Sequence, residues 1–185
     1  MPANNVYSPV AGGCVQTNYR DQMATALPGD LAFNDNTLVD AVIASDATGD
    51  GIPAGRGVVL TPAEKTVRPG IDRLMAALPA SGATAIDGIV VRNHQMQSNS
   101  GGEPVWFDGR VMNILRLNRV GGRIWVELRS GSVSHGDAVK VMAGGNTPGA
   151  FDPTGTITVA GARYIGDFDA SGGPVPALIE VGLEA

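Results

Sequence analysis

The residues of this chain best equipped for chemistry are two histidines, His94 and His135, a single cysteine, Cys14, and a few short groups of carboxylates. Ser134, His135 and Asp137 carry the side-chain types of a hydrolase triad. A triad is a spatial arrangement, however, and three residues packed into one tight turn cannot align nucleophile, base and orienting carboxylate while leaving an oxyanion site. Neither histidine has a second His, Cys or carboxylate at metal-ligand spacing on a shared strand face. One thiol builds neither an intramolecular disulfide nor a structural zinc site. Asp46 to Gly51, DATGDG, has the paired aspartates and glycines of part of a calcium loop, but not the alternating ligand spacing or the closing bidentate glutamate, so it reads as an Asp-Gly turn. Asp167 and Asp169 share one strand face, with no second carboxylate placed to oppose them across a sugar cleft, and read as solvated strand-end residues. No G-x-S-x-G, no Gly-rich phosphate loop ending in Lys-Ser or Lys-Thr and no H-E-x-x-H occurs. The chain is therefore expected to be no enzyme and to use no cofactor and no metal.

Charge narrows the partners. The formal net charge is −5, and only Lys65 and Lys140 are lysines. Phosphate recognition needs clustered Lys and Arg, whereas the arginines here are spread from Arg20 to Arg163, so direct nucleic-acid binding is not expected. No run of 18 or more apolar residues occurs and the start lacks a basic-then-apolar pattern, which predicts a soluble protein made in the cytosol, without a membrane partner.

The elements that must carry any function are short and extended. With 26 glycines and 12 prolines in 185 residues, turns are frequent and long helices few. Strand patterns recur at Thr37 to Ser45, Ile52 to Leu60, Ala85 to His94, Val105 to Leu115 and the two closing segments around Ile157 to Phe168 and Val175 to Val181. Thr61 and Glu64 have capping-box spacing, which allows a helical turn. Residues 71–79 fit a helical face through Ile71, Leu74, Met75 and Leu78 and equally fit a strand. Asp108-Gly109 marks a turn or a bulge. About eight to ten short strands separated by turn signals indicate a mainly β, barrel-like or sandwich-like compact domain with at most one or two short helices. That domain is expected over residues 37–185. Residues 1–36 carry little periodicity and are read as an extended N-terminal arm, lying along a partner or folded back on its own domain, with Tyr7, Tyr19 and Phe33 among its anchors.

Asn113 to Met142 offers the clearest local pattern. Ile124, Val126 and Leu128 point one way at the period of two of a half-buried strand, and Arg123, Trp125 and Glu127 point the other. Gly121-Gly122 has the freedom for a tight hairpin turn, which predicts a meander of three sequential strands. If Ile124, Val126 and Leu128 fill the core, Trp125 lies outside it; Trp106 and Phe107 are adjacent and cannot both point inward. Because tryptophan and arginine dominate binding hot spots, Arg123, Trp125, Trp106 and Phe107 are the expected protein-binding residues of the domain.

The ordered succession PGDLAFNDNTLVDAVIAS, IPAGRGVVL, DGIVVRNH, GRIWVEL, GDAVKVM, GARYIGDF and PVPALIEVGLE resembles the structural cement, or head decoration, proteins of tailed bacteriophages over roughly residues 28–183. Residues 61–84 and 95–108 depart from that pattern. The resemblance implies a β-barrel-like protein on the outer surface of the virion capsid. There it would bridge major capsid protein subunits at a local symmetry axis, associate with itself as a dimer or trimer, and stabilise the shell against packaged DNA. A carbohydrate- or host-surface-binding β module of a virion is the alternative that exposed aromatics also serve.

Overall fold

The computed structural model describes residues 7–10, 13–16, 26–33, 39–62, 74–117 and 122–182. Every regular element among them is a strand. In chain order these are β1 (Tyr7–Val10), β2 (Gly13–Gln16), β3 (Leu31–Phe33), β4 (Val39–Ala44), β5 (Ile52–Pro53) and β6 (Gly57–Pro62). Next come β7 (Leu74–Ala77), β8 (Gly88–Val90), β9 (Gln97–Ser98), β10 (Pro104–Trp106), β11 (Val111–Arg116) and β12 (Gly122–Leu128). The chain closes with β13 (Ser132–Val133), β14 (Ala138–Val141), β15 (Ile157–Tyr164), β16 (Phe168–Asp169) and β17 (Val175–Val181). The all-β class expected from the glycine and proline content is the class observed. The ambiguous segment within 71–79 is extended at Leu74–Ala77; the capping-box glutamate, Glu64, lies outside the described residues. Asp108-Gly109 is a turn, with the Gly109 N–H bonded to the Ala44 carbonyl at 2.9 Å.

Five strands close into a small barrel in the order β11-β4-β7-β6-β8. All its pairings are antiparallel except β4 with β7. Its interior is apolar: Val42, Ala44, Val58, Ala76, Val90, Met112 and Ile114 are all buried. At one end Asp40 and Arg116, in phase with those inward residues, form an ion pair at 3.4 Å. Trp106, 4% exposed, packs in this same core from the short sheet β5-β10-β9.

The second layer is an open sheet, β14-β15-β17-β12-β3. β12 and β17 pair over seven residues, Gly122 with Val181 through Leu128 with Val175. Both strands alternate, so Ile124, Val126 and Leu128 join Ala177, Ile179 and Val181 in the larger core. One residue also links the edge strand β14 to the far end of β12. Phe151, fully buried, bridges Leu128 on one side and Val141 on the other. The Arg129 N–H donates to its carbonyl at 2.9 Å, and the neighbouring Asp152 N–H donates to Lys140 at 3.1 Å. Gly149, two residues earlier, is fixed by close approach: its N–H bonds Met142, and a Cβ there would lie 2.5 Å from the Gly57 carbonyl.

The barrel and the sheet share a wall. In β8, Ile89 faces the larger core and Val90 the barrel; in β11, Leu115 faces the larger core and Ile114 the barrel. Consecutive residues of a strand point to opposite faces, so a strand buried on both sides needs consecutive apolar residues. This overturns the meander expected at Gly121-Gly122. β11 pairs with β4 and β8, whereas β12 pairs with β17 and β3, and β14 pairs with β15. The Gly-Gly signal is local, and the burial patterns decide otherwise: β11 is covered on two faces over Ile114 and Leu115, β12 on one, so they belong to different layers. Residues 26–33, assigned to the arm, are built into the fold here, since Leu31–Phe33 pairs with β12.

Phe151 makes this link between β14 and β12, so Phe151→Ala is expected to lower stability by about 3–5 kcal/mol, the range for removing a buried aromatic ring. Urea unfolding followed by tryptophan fluorescence would show the lower midpoint, and Phe151→Leu should recover most of it.

Candidate protein-binding face

The outward surface of β15, β17 and β12 is organised in rows set by strand register. Arg163 lies opposite Glu180, and Glu180 opposite Arg123. The next outward row pairs Leu178 with Trp125, and the Ile165 N–H bonds the Leu178 carbonyl at 3.0 Å. The third pairs Pro176 with Glu127. An apolar centre thus lies between two charged rows.

Both charged rows follow one plan, a carboxylate held by two guanidiniums. Glu180 Oε1 accepts from Arg123 Nε and Nη2 at 3.1 and 3.0 Å, and Oε2 accepts from Arg163 Nε at 3.2 Å with Nη2 at 3.1 Å. The Arg123 hydrogen bonds, joined by those of Arg163 and opposed by desolvation, hold the Glu180 carboxyl below the usual carboxylate range. Glu127 Oε1 accepts from Arg56 Nη2 at 3.1 Å and, at the longer distance of 3.5 Å, from Arg129 Nη1. Arg56 is 5% exposed and reaches Glu127 from the start of β6, tying the barrel to the sheet. Burial pulls its pKa down and Glu127 opposes that shift. Four arginines meet Glu127 and Glu180 here, with Glu103 acting on Arg56 and Asp152 on Arg129 as further acidic neighbours.

Trp125 is fixed on all sides. Its backbone pairs with β17 along one edge. Along the other, its N–H donates to the Asp30 carbonyl at 2.9 Å and its carbonyl accepts from the Gly29 N–H at 2.7 Å. Gly29 has φ +88°, and a Cβ there would lie 2.8 Å from the Arg92 backbone nitrogen, so only glycine brings this loop so close. The Trp125 ring, half-buried, meets Phe168 edge-on with centroids 6.4 Å apart and planes at 79°. This is a favoured aromatic geometry and leaves part of the indole outward.

Of the residues singled out in the sequence, the face brings together Arg123 and Trp125. Phe33 stands opposite Arg123 in β3, and Tyr7 lies in β1. Tyr19 lies outside the described residues. Trp106 and Phe107 are elsewhere, Trp106 buried in the barrel core and Phe107 half-buried beside it, which satisfies the rule that neighbours alternate. Glu127, expected to point outward with Arg123 and Trp125, joins them; Leu178, Glu180 and Arg163 complete the face and were not singled out. Their signal lies in PALIEV, where Leu178 and Glu180 sit two apart, but only the register with β12 shows what they join.

The carboxylates first considered for chemistry are engaged within turns or between neighbouring segments. Asp137 accepts from the Ser134 N–H at 2.7 Å, Asp167 from the His135 N–H at 2.9 Å, and Asp169 from the Ser132 hydroxyl and the Ser171 N–H. Asp46 accepts from Thr48 and from the Gly51 N–H at 2.7 Å. Among the described residues no group of three or more His, Cys, Asp or Glu could hold a metal ion.

The family model described as structural cement protein (E217 gp24/Pam3 gp6) matches residues 15–183. The chain belongs to the phage structural cement protein family. This cement protein is also similar in fold to a chain of the structure titled "The capsid of Myoviridae Phage XM1", with a TM-score of 0.61 at 16% identity, over 88% of this chain and 93% of that one. No match is found among curated proteins. The family gives the cement protein a structural role in the phage capsid and a place in the virion.

Because the Glu180 carboxyl is held below its unfolded value, its contribution to stability is present above the ordinary glutamate range and lost as pH falls through the lowered pKa. Glu180→Gln is therefore expected to destabilise the cement protein at pH 7, with the difference from the unmodified protein shrinking towards pH 3. Thermal melts of both proteins across that range would measure it.

Proposed function

We propose that this cement protein binds the outer surface of the assembled head, bridges neighbouring major capsid protein subunits and stabilises the shell against packaged DNA. The supporting observation is the row structure of the β15–β17–β12 face, with Trp125 and Leu178 between two sets of arginine-clamped carboxylates. Binding hot spots have this arrangement, a rigid aromatic anchor at the centre and polar groups at the rim. Its backbone is fixed on both edges, so little ordering cost remains to be met on binding. Exposed Arg163 contributes to encounter with the partner surface and to its salt dependence.

The stabilising action follows from linkage. A protein that binds only the assembled shell lowers the free energy of that state by an amount that grows with concentration and affinity, so rupture becomes harder. Many copies on a closed lattice, each touching more than one subunit, add avidity to modest individual contacts. Self-association as a dimer or trimer would place several such faces about a local symmetry axis. No chemistry is required of the chain.

Two measurements test the reading. Trp125→Ala is expected to keep the fold, at a cost in stability of about 0.5–1.5 kcal/mol from the lost aromatic pair, while weakening binding to purified heads by about 2 kcal/mol, roughly 30-fold. Heads lacking the protein should release DNA at lower temperature and lower osmotic stress than decorated heads. Equal resistance of the two would remove the stabilising role, and equal binding by Trp125→Ala would remove this face from the contact.

A further inference from the structure

Of the described arginines, Arg56, Arg116, Arg123, Arg129 and Arg163 are all in ion pairs, whereas Arg92 and Arg110 are in none. Each of these two lines a cavity beside the ribbon β9–β10. Successive residues of the ribbon alternate between the cavities, as the period of two in an extended chain requires. Gln97 and Val105 line the first with Arg110, and Met96, Ser98 and Pro104 line the second with Arg92. The second includes Asp30 and so already carries a carboxylate. The lining of the first carries none.

That first cavity has a volume of about 350 Å³, at the small end of ligand sites. Its polar groups are the exposed side chains of Gln95, Gln97 and Arg110, and its apolar wall is half-buried Phe107 with exposed Val111. Trp106 also lines it, and the buried Trp106 Nε1–H has no acceptor among the described residues. Arg110 is firmly rooted: its N–H bonds the Phe107 carbonyl at 3.2 Å and its carbonyl accepts from the Ala44 N–H at 2.8 Å. The nearest acids in sequence are occupied elsewhere. Asp108 accepts from the Asp46 N–H at 3.0 Å, and Glu103 acts on Arg56. The guanidinium of Arg110 is thus held at a concave site with no carboxylate of its own.

Each part of the lining matches a different part of one ligand. A guanidinium takes a carboxylate through paired hydrogen bonds. A side-chain amide donates and accepts at once, which matches a hydroxyl group, itself both donor and acceptor. The Phe107 ring and Val111 offer a surface for C–H groups. An acidic peptide side chain would meet the guanidinium and leave the amide oxygens to water, whereas a sugar acid brings carboxylate, hydroxyls and an apolar ring face together. We propose that this cavity binds a carboxylate-bearing sugar residue, of the uronic-acid class, in an acidic polysaccharide. The site is separate from the β15–β17–β12 face, with which it shares no residue. One sugar residue makes a weak contact, and several copies on one virion would multiply it.

The test titrates the full-length protein with the disaccharides of galacturonic, glucuronic and mannuronic acid, with the neutral disaccharide of each, and with a short blocked peptide carrying one glutamate. Saturation-transfer NMR and calorimetry read the binding. At least one acidic disaccharide is expected to bind in the millimolar range, about tenfold or more tighter than its neutral counterpart and than the peptide. Arg110→Gln should remove that tenfold preference, and Gln97→Ala should weaken binding several-fold. Both side chains are exposed, so neither variant should move the unfolding midpoint. The proposal is overturned if none of the three acids binds, if the neutral sugars bind equally well, or if Arg110→Gln keeps full affinity. Peptide binding as tight as that of the acidic sugars would also overturn it, reassigning the cavity to a protein carboxylate.

Discussion

The shared wall of β8 and β11 is the constraint on which the rest depends. Ile89 and Leu115 complete one core while their neighbours Val90 and Ile114 complete the other. Each fully buried aliphatic side chain contributes about 1.5–3 kcal/mol, and here both faces of the same short strands contribute. Neither layer has an independent interior. A change that shifts β11 is felt in the barrel and the sheet alike, so the two layers are expected to unfold together.

A second tie between the layers is electrostatic, and its energetics differ. Arg56 crosses from the barrel to Glu127 with little access to water, and its Nη1 has no partner among the described residues. Taking a guanidinium out of water is costly, and one carboxylate shared with Arg129 offsets that only in part. The pair therefore serves orientation better than net stability: it places Glu127, and with it the lower charged row, relative to the barrel. Glu180, bracketed by two guanidiniums nearer to solvent, does the equivalent for the upper row at a smaller desolvation cost. Trp125 lies between two rows that are each held in a fixed geometry.

Much of this was legible in the sequence because it rests on local alternation. The period of two in GRIWVEL placed Ile124, Val126 and Leu128 inward and Arg123 and Trp125 outward, and the glycine and proline content excluded long helices. Pairing was not legible. Gly121-Gly122 is an ordinary hairpin signal, and only the burial of β11 on both faces sends it to a different layer from β12. The same limit hid Glu180, Arg163 and Leu178, which join the face through the register of β17 with its neighbours. Trp106 shows the complementary case: of two adjacent aromatics one must face inward, and the sequence does not say which. The cement family was recognisable because the order of several weak strand motifs survives where no single motif is decisive.

The bridge at Phe151 bears on how such molecules coexist. A sheet with two free borders exposes unpaired N–H and C=O groups to which any further strand can add. Here the five-stranded barrel closes on itself, and in the larger sheet the backbone of Phe151 covers the free side of the outer strand β14 and of the Leu128 end of β12. What remains open is short. Covering these edges limits the border-to-border stacking that turns strand-rich proteins into fibres. A single aromatic residue thus helps to keep a strand-rich molecule separate from its neighbours.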